Sequence, residues 1–403
     1  MAGLRRHSRP AAAIISQGIS SISSLVLALI AARVLGAEGL GEFAILFSVV
    51  ITFNSVTTGY VGDSLTVLDR FDPPIRKALF GSAGVATLAG VLTALVTAFA
   101  LGLGLTTAVA FALALVAWVW EEFGRRLLVT RLEFWKLAAN DTCYASIAIG
   151  LAAVLALVFH NLTLTTLLLA MAVGSAAAWI LAVAQLPRAE FAFPRRTRAA
   201  FRQLNQFAAW RAAQTTIRPL SMSVIRISVA AVATTAALGN LEGARILATP
   251  MTTLISGAST FLLPMMAAEE RGETGGTRLP VVRVSLLLGA VSLAVGLVCV
   301  LLVPVLGPLL LGDEVQVDQW AALFWALFAA AFGLGIPLGN ALVAMKKARL
   351  TFWIRAGDAA IGVGVGTLLA WWIDASFAPL GLMLGALVGA YWCYAALRRE
   401  GRV

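Results

Sequence analysis

Residues 284–303 read VSLLLGAVSLAVGLVCVLLV, twenty consecutive residues without a charged side chain. A helix of this length crosses the roughly 30 Å hydrocarbon core of a bilayer. Similar apolar runs recur along the 403-residue chain, which has a mean hydropathy of +0.90, 60% hydrophobic residues and 12% charged residues. Soluble domains usually carry about 25% charged residues. The composition therefore excludes a soluble enzyme and predicts an all-α, polytopic membrane protein.

Hydropathy predicts about twelve transmembrane helices. They lie at 11–34, 43–62, 79–100, 104–120, 138–159, 163–185, 206–235, 243–267, 282–304, 319–344, 350–372 and 378–397. Six spans precede a strongly basic connection and six follow it, so both halves have the same orientation, as in a parallel repeat. We predict an N-terminal lobe of spans 1–6 (1–186), a basic cytoplasmic linker (187–205) and a C-terminal lobe of spans 7–12 (206–403).

Basic residues collect in alternate connections. Of the 30 Lys and Arg residues, 25 lie in the termini or in every second connection, whereas the connection after span nine carries Asp313, Glu314 and Asp318. Positive charge marks cytoplasmic loops. We therefore predict a multi-pass protein of the cytoplasmic (inner) membrane, with both termini in the cytoplasm and residues 306–318 outside. This distribution explains the net charge of +10 without a nucleic-acid partner.

The residue types that usually carry catalysis are scarce. The cysteines, Cys143, Cys299 and Cys393, lie far apart in apolar stretches, and the two histidines, His7 and His160, lie in the N-terminal tail and a short loop. Neither set has the spacing of a metal site or a catalytic triad. We therefore expect no catalytic residues, no metal site and no cofactor. Because the chain also has no nucleotide-hydrolysing motif, transport would be driven by a gradient.

Five basic residues fall outside the basic connections: Arg33, Arg211, Arg218, Arg226 and Arg245. Three of them follow one another on span seven at steps of seven and eight residues, which places them within an arc of roughly 100°. An arginine at the centre of a bilayer costs at least about 2.5–3.5 kcal/mol, so it should face a wet cavity or a partner. The pattern favours a polar face on span seven, to which Gln214 also belongs.

The charge of this face indicates the kind of cargo. Asp63, Asp141 and Asp358 are the candidate acidic partners within spans, fewer than the arginines, so the cavity is expected to be net positive. The planar guanidinium suits phosphate oxygens. We assign substrate binding to Arg211, Arg218, Arg226, Arg33 and Gln214. The alternative is that Arg211 extends to the interface and another arginine forms a structural ion pair.

Three segments resemble a known family. Residues 32–44 (ARVLGAEGLGEFA), 238–250 (LGNLEGARILATP) with 261–264 (FLLP), and 310–313 (LLGD) are similar to polysaccharide (O-antigen type) flippases. These carriers of lipid-linked oligosaccharides belong to the multidrug/oligosaccharidyl-lipid/polysaccharide exporter superfamily. The first two segments also resemble each other, since Leu35-Gly36 in the first matches Leu238-Gly239 in the second at an offset of about half the chain.

The resemblance implies two six-helix lobes around a central cavity and export of a polyprenyl-diphosphate-linked oligosaccharide by alternating access. It implies as partners that lipid-linked oligosaccharide, membrane lipids, and glycan polymerases or glycosyltransferases. Relatives that flip the peptidoglycan precursor use cationic residues on their first spans, a pattern that Arg33 matches here.

Three alternatives stay open. A cation-coupled drug antiporter of the same superfamily should present buried carboxylates to its cargo. A membrane glycosyltransferase or polymerase should carry an acidic pair on a sizeable outside loop, whereas the longest outside connection predicted here has only about 15 residues. A non-transporting scaffold would not need intramembrane arginines.

The predicted topology can be tested by cysteine labelling. In a variant without the three native cysteines, a reagent that does not cross the membrane should modify Gln316→Cys from outside and spare Thr197→Cys, because positive charge retains the linker in the cytoplasm. Permeabilised cells, in which both positions should react, provide the control. Labelling of position 197 alone in intact cells would show that the orientation is the opposite of the predicted one.

Overall fold

The computed structural model describes residues 2–191, 198–270, 279–345 and 347–402, which are almost entirely helical and contain no β-strand. Thirteen α-helices occur in these ranges. They are α1 (Ala2–Thr57), α2 (Asp63–Val67), α3 (Pro73–Ala100), α4 (Leu105–Thr130), α5 (Phe134–Leu157), α6 (Leu164–Gln185), α7 (Phe201–Val232), α8 (Thr235–Leu247), α9 (Thr249–Glu270), α10 (Val281–Leu311), α11 (Gln319–Ala344), α12 (Ala348–Trp372) and α13 (Ala378–Arg399). A π-helical turn at Thr58–Gly62 follows α1.

Nine helices in the described part of the chain are long and apolar enough to cross a membrane. One extends over Ile15–Leu65, and the others are α3 to α6 and α10 to α13. This confirms the predicted fold class, an all-helical multi-pass membrane protein. The predicted spans 3–6 and 9–12 correspond to these eight later helices.

The junction between the first two predicted spans is not a loop. α1 continues through it, and only Gly36 leaves the helical region, with φ 67° and ψ −167°. Glycine adopts this positive φ without the steric cost that a β-carbon brings. A β-carbon at this position would also overlap the carboxylate of Glu314. One glycine therefore makes a bend where the sequence pattern suggests a short connection.

The eighth predicted span, 243–267, is two helices. α8 has 13 residues and ends at Leu247, and α9 begins at Thr249 with Pro250 in its first turn. Proline is tolerated there because the first amides of a helix have no intrahelical acceptor. At about 1.5 Å per residue, α8 is roughly 20 Å long and too short to cross a bilayer. The apolar run conceals this break, since it continues across both helices.

Contacts within the chain define two compact units. The first unit is Met1–Leu35 with Leu46–Pro219, and the second is Gly36–Ile45 with Leu220–Val403. One segment of α1 therefore belongs to the second unit, and α7 contributes to both. The predicted lobe boundaries stay a prediction, and residues 192–197 of the predicted linker lie outside the described residues.

The start of the predicted linker is held to the first unit by a buried acid. Glu190, only 2% exposed, accepts hydrogen bonds from the guanidinium groups of Arg70 (Nη2–Oε1 3.1 Å) and Arg131 (Nη1–Oε1 3.2 Å). Arg76 donates to the carbonyl oxygen of neighbouring Ala189. These contacts fix residues 188–191 against the ends of α3 and α4.

In the second unit, the two Leu-Gly segments contact each other. A β-carbon at Gly41 would overlap the carbonyl oxygen of Thr235, and one at Gly239 would overlap that of Ala37. The backbones of α1 and α8 therefore touch at positions where any side chain would separate them, as small residues allow in membrane helices. This close contact fixes α8 against residues 36–45 of α1.

Gly239→Ala should destabilise the second unit, because the added methyl group has no space and overpacking costs typically about 1–3 kcal/mol. The measurement is the thermal unfolding midpoint in detergent together with membrane abundance. Gly364→Ala in α12 is the matched control, since a β-carbon there meets nothing within 4 Å. Alanine is also a better helix former than glycine. Equal stability of the two variants would contradict the close contact.

Candidate functional site

α7 carries three of the four arginines of the predicted site, and its part in the first unit contains Arg211. The Nη2 atom of Arg211 lies 2.6 Å from Oδ2 of Asp63, and its Nη1 donates to Oε1 of Gln214 at 3.2 Å. The structure thus brings together two predicted site residues and one of the predicted acidic partners. The Arg211 side chain is 41% exposed, so this ion pair is only partly removed from solvent.

The first unit also contains Arg33 and Arg218, and both occupy exposed positions. Arg33 lies in α1 three residues before the bend at Gly36, and Arg218 lies on α7 next to Pro219. Their place in a binding site stays a prediction.

Arg226, in the second unit, makes the most extensive ion pair of the predicted set. Its Nε donates to Oε1 of Glu242 at 2.7 Å, and its Nη2 donates to Oε2 at 3.1 Å. Arg245 donates from Nε to Oε2 of the same carboxylate at 2.6 Å. We call these three residues the Glu242 triad. Two guanidinium groups share one carboxylate, so the triad carries one excess positive charge.

The surroundings of the triad are apolar. Glu242 is buried, and the Arg226 side chain is 12% exposed. The adjoining pocket is lined by Met222, Ile225, Val229, Leu238, Leu241, Trp325, Ala378, Pro379 and Leu382. Charges interact strongly in such a setting, and removal of one partner leaves a costly buried charge. The triad can therefore bind an anion or serve as a structural ion pair, but none of its buried charges can be left without a partner.

The acid of this triad is missed by the sequence reasoning. Glu242 belongs to the motif 238–250, yet only three aspartates were counted as partners for intramembrane arginines. A signal was available, because Glu242 and Arg245 are three residues apart, the spacing at which side chains meet on a helix. It could be used only if residues 235–247 were recognised as a separate helix.

A second buried cluster lies in the first unit, between α4 and α5. Arg125 contacts Oε2 of Glu122 and Oδ1 of Asp141, each at 2.8 Å, and Arg126 Nε lies 2.6 Å from Oε1 of Glu122. Ser16 of α1 donates a hydrogen bond to Asp141. The sequence pattern places both arginines in a connection after a span that ends at residue 120. In the structure the helix continues to Thr130, so both arginines lie on α4.

Glu121 adds a further carboxylate to this cluster. It is buried, and no hydrogen bond to its Oε2 is present in the part of the chain that the structure describes. The same holds for three buried groups nearby in the first unit: the Asn140 amide, the Tyr144 hydroxyl and the Ser175 hydroxyl. Buried polar atoms without protein partners usually bind water or another ligand. This cluster has the chemistry to hold a proton or ordered water.

In the described residues, no group of three or more His, Cys, Asp or Glu side chains is arranged so that it could hold a metal ion. The cysteines are free thiols at separate positions.

Solved structures show where this architecture occurs. An inward-facing multidrug resistance MATE family transporter of the MOP superfamily matches with a TM-score of 0.73 and 11% identity, over 96% of this chain and 98% of that one. The lipid II flippase MurJ in an inward closed conformation matches with a TM-score of 0.70 and 11% identity, over 96% and 87%. A MOP superfamily transporter from Pyrococcus furiosus, described as having a binding pocket of reverse polarity, matches with a TM-score of 0.61 and 13% identity, over 97% and 94%.

No family model and no curated protein matches the sequence. The structural likeness therefore shows that the chain has the fold of these transporters.

Glu122→Gln should destabilise the first unit strongly, because it removes the buried charge that two partly buried arginines share. Breaking a buried ion pair costs about 3–5 kcal/mol, and the thermal unfolding midpoint should fall accordingly. Glu133→Gln is the matched control. Burial raises the pKa of Glu133, but hydrogen bonds from Lys136 and Arg131 outweigh it and hold that pKa below its usual range. Its partly exposed pairs should contribute little, so an equal loss in both variants would argue against a special role for Glu122.

Proposed function

We propose that this protein is a flippase that moves a polyprenyl-diphosphate-linked oligosaccharide across the cytoplasmic membrane by alternating access. The observation that carries the proposal is the Glu242 triad, in which two guanidinium groups and one carboxylate lie beside an apolar pocket. The excess positive charge is complementary to a diphosphate. The planar guanidinium forms paired hydrogen bonds with phosphate oxygens.

The fold is compatible with this cargo. One structural neighbour is a lipid II flippase, and it shares the architecture over nearly all of this chain. Another is described by a reverse polarity of its binding pocket. The polarity of the pocket is therefore not set by this fold, and the charge of the site in this chain depends on its own residues.

In the proposed mechanism, Arg218 and Arg226 attract the diphosphate while the prenyl tail stays in lipid. Arg211, Gln214 and Arg33 are proposed to contribute further hydrogen bonds. Each guanidinium that now pairs with a carboxylate would exchange that partner for phosphate, so that no buried charge is left alone during the exchange. A gradient or the cargo itself would drive the change between the two access states.

A second candidate function is cation-coupled antiport of a drug or another small molecule. The buried cluster around Glu121 favours it, since Glu121 is a buried carboxyl group in addition to the Glu122 and Asp141 carboxylates that pair with Arg125 and Arg126. A carboxyl group of this kind can take up a proton or pair with a cationic cargo. The two candidates differ in the charge of the cargo, so vesicles offered a prenyl-diphosphate glycan or a cationic dye distinguish them.

The proposed flippase function is tested with the double variant Arg218→Ala/Arg226→Ala, reconstituted into vesicles. Flipping of a lipid-linked glycan should fall more than about 100-fold, because each charge-assisted hydrogen bond contributes roughly 1.5–3 kcal/mol. The corresponding lysine variant should be impaired only in part, since it retains the charge and loses the planar fork.

The control is Arg398→Ala/Arg399→Ala, which removes two exposed arginines from the last turn of α13 and should leave flipping unchanged. Membrane abundance is measured for every variant. Normal flipping by a well-expressed Arg218→Ala/Arg226→Ala protein would reject the site. A loss of abundance with normal activity per molecule would show instead that the arginines form structural ion pairs.

A further inference from the structure

We propose that Glu242 is an internal competitor for the anionic cargo. Its carboxylate pairs with the guanidinium group of Arg226, as in this structure, and phosphate oxygens displace it when cargo binds. This inference rests on the proposed function, because it needs Arg226 to bind a phosphate. It adds that the acid beside the site regulates both how tightly the cargo is held and how readily it is released.

The geometry of the triad gives the carboxylate the shape of a bound anion. Both oxygens of Glu242 accept from Arg226, at 2.7 and 3.1 Å. This paired arrangement is the one that guanidinium groups also form with phosphate. The carboxylate therefore occupies the hydrogen-bonding edge of Arg226 that a phosphate would use.

The two arginines of the triad differ in how they reach Glu242. Arg245 is three residues away on α8 itself, so the helix keeps this pair together. Arg226 comes from another helix, α7, sixteen residues earlier in the chain. A displacement between α7 and α8 would separate Arg226 from Glu242 and leave the pair with Arg245 intact. Glu242 can therefore release Arg226 without becoming an unpaired buried charge.

The burial of the triad makes this exchange selective. The Glu242 side chain is 4% exposed and that of Arg226 is 12% exposed, whereas that of Arg245 is 36% exposed. An uncharged molecule offers no negative charge to replace the carboxylate at Arg226, and leaving a buried charge without a counter-charge is costly. A phosphate restores the lost hydrogen bonds. The free-energy cost of separating Arg226 from Glu242 is therefore low only when an anion takes the place of the carboxylate.

A competitor of this kind lowers the apparent affinity. If only a fraction of molecules has Arg226 free of Glu242, the apparent dissociation constant rises by the inverse of that fraction. The same competition returns Arg226 to Glu242 after transport and so promotes release. Removal of the carboxylate should therefore tighten binding and slow turnover together.

The experiment measures binding of inorganic pyrophosphate and of farnesyl diphosphate to the full chain in lipid nanodiscs. Glu242→Gln retains the size of the side chain, loses its charge and replaces one accepting oxygen by an NH2 group that can only donate. It should bind both probes on the order of tenfold more tightly than the original protein, a coupling of the usual size between two linked sites. Glu242→Asp keeps the charge but is one methylene shorter, so it should reach Arg226 less well and also bind more tightly.

Glu269→Gln is the matched control, since Glu269 is a buried acid of the second unit that pairs with Arg402 at 2.7 Å, away from the triad. Its affinity for both probes should equal that of the original protein. Arg226→Ala should bind neither probe. Preferential binding of farnesyl diphosphate identifies a lipid-linked anion as the source, and equal binding of both probes identifies the phosphate groups alone as sufficient.

The outcomes separate the two proposals. Unchanged or weaker binding by folded Glu242→Gln and Glu242→Asp, with binding lost in Arg226→Ala, would overturn the proposal that Glu242 competes with the cargo. It would not contradict the proposed flippase function. Binding of neither probe by any variant, or full binding by Arg226→Ala, would count against the proposed function itself. Thermal unfolding midpoints show which variants are folded. A tighter complex and slower flipping in Glu242→Gln would support the competitor.

Discussion

A charged side chain among apolar helices must have a partner, and this constraint governs the arrangement of both units. In the first unit, Glu122 and Asp141 share Arg125. In the second, Glu242 holds two arginines. Each cluster joins helices through charge where the surrounding contacts are apolar and non-directional. The contacts therefore fix the positions of helices and, at the same points, provide groups that can bind ions.

Much of the fold could be predicted from the sequence. The eight apolar helices that follow α1 and α2, namely α3 to α6 and α10 to α13, were predicted. Uninterrupted hydrophobic runs of about 20 residues are rare outside membrane-spanning helices. Two features were not. Gly36 replaces a connection by a single bend, and Ala248 separates two helices within one continuous apolar run. Both depend on one residue's backbone angles and on contacts with distant parts of the chain, to which hydropathy is insensitive.

The ion pairs around the arginines were predicted less completely. The spacing of arginines on α7 is visible in the sequence, and Asp63 was named among the possible partners. Glu121, Glu122 and Glu242 were missed because the first two were assigned to a connection and the third was never counted as an intramembrane acid. A pairing such as Arg226 with Glu242 is a property of how α7 and α8 pack, so the sequence alone could not choose between a free guanidinium and a paired one.

The polarity of α7 has a consequence for how the protein is made. In the described part of the chain, α7 is 32 residues long but is not among the helices apolar enough to cross a membrane. A helix that carries Arg211, Arg218 and Arg226 gains little from entering lipid alone, since each arginine opposes insertion. It becomes compatible with a membrane once Asp63 and Glu242 neutralise two of those charges. Asp63 is synthesised before α7, but Glu242 follows it, so stable integration of this helix must wait until α8 has left the ribosome.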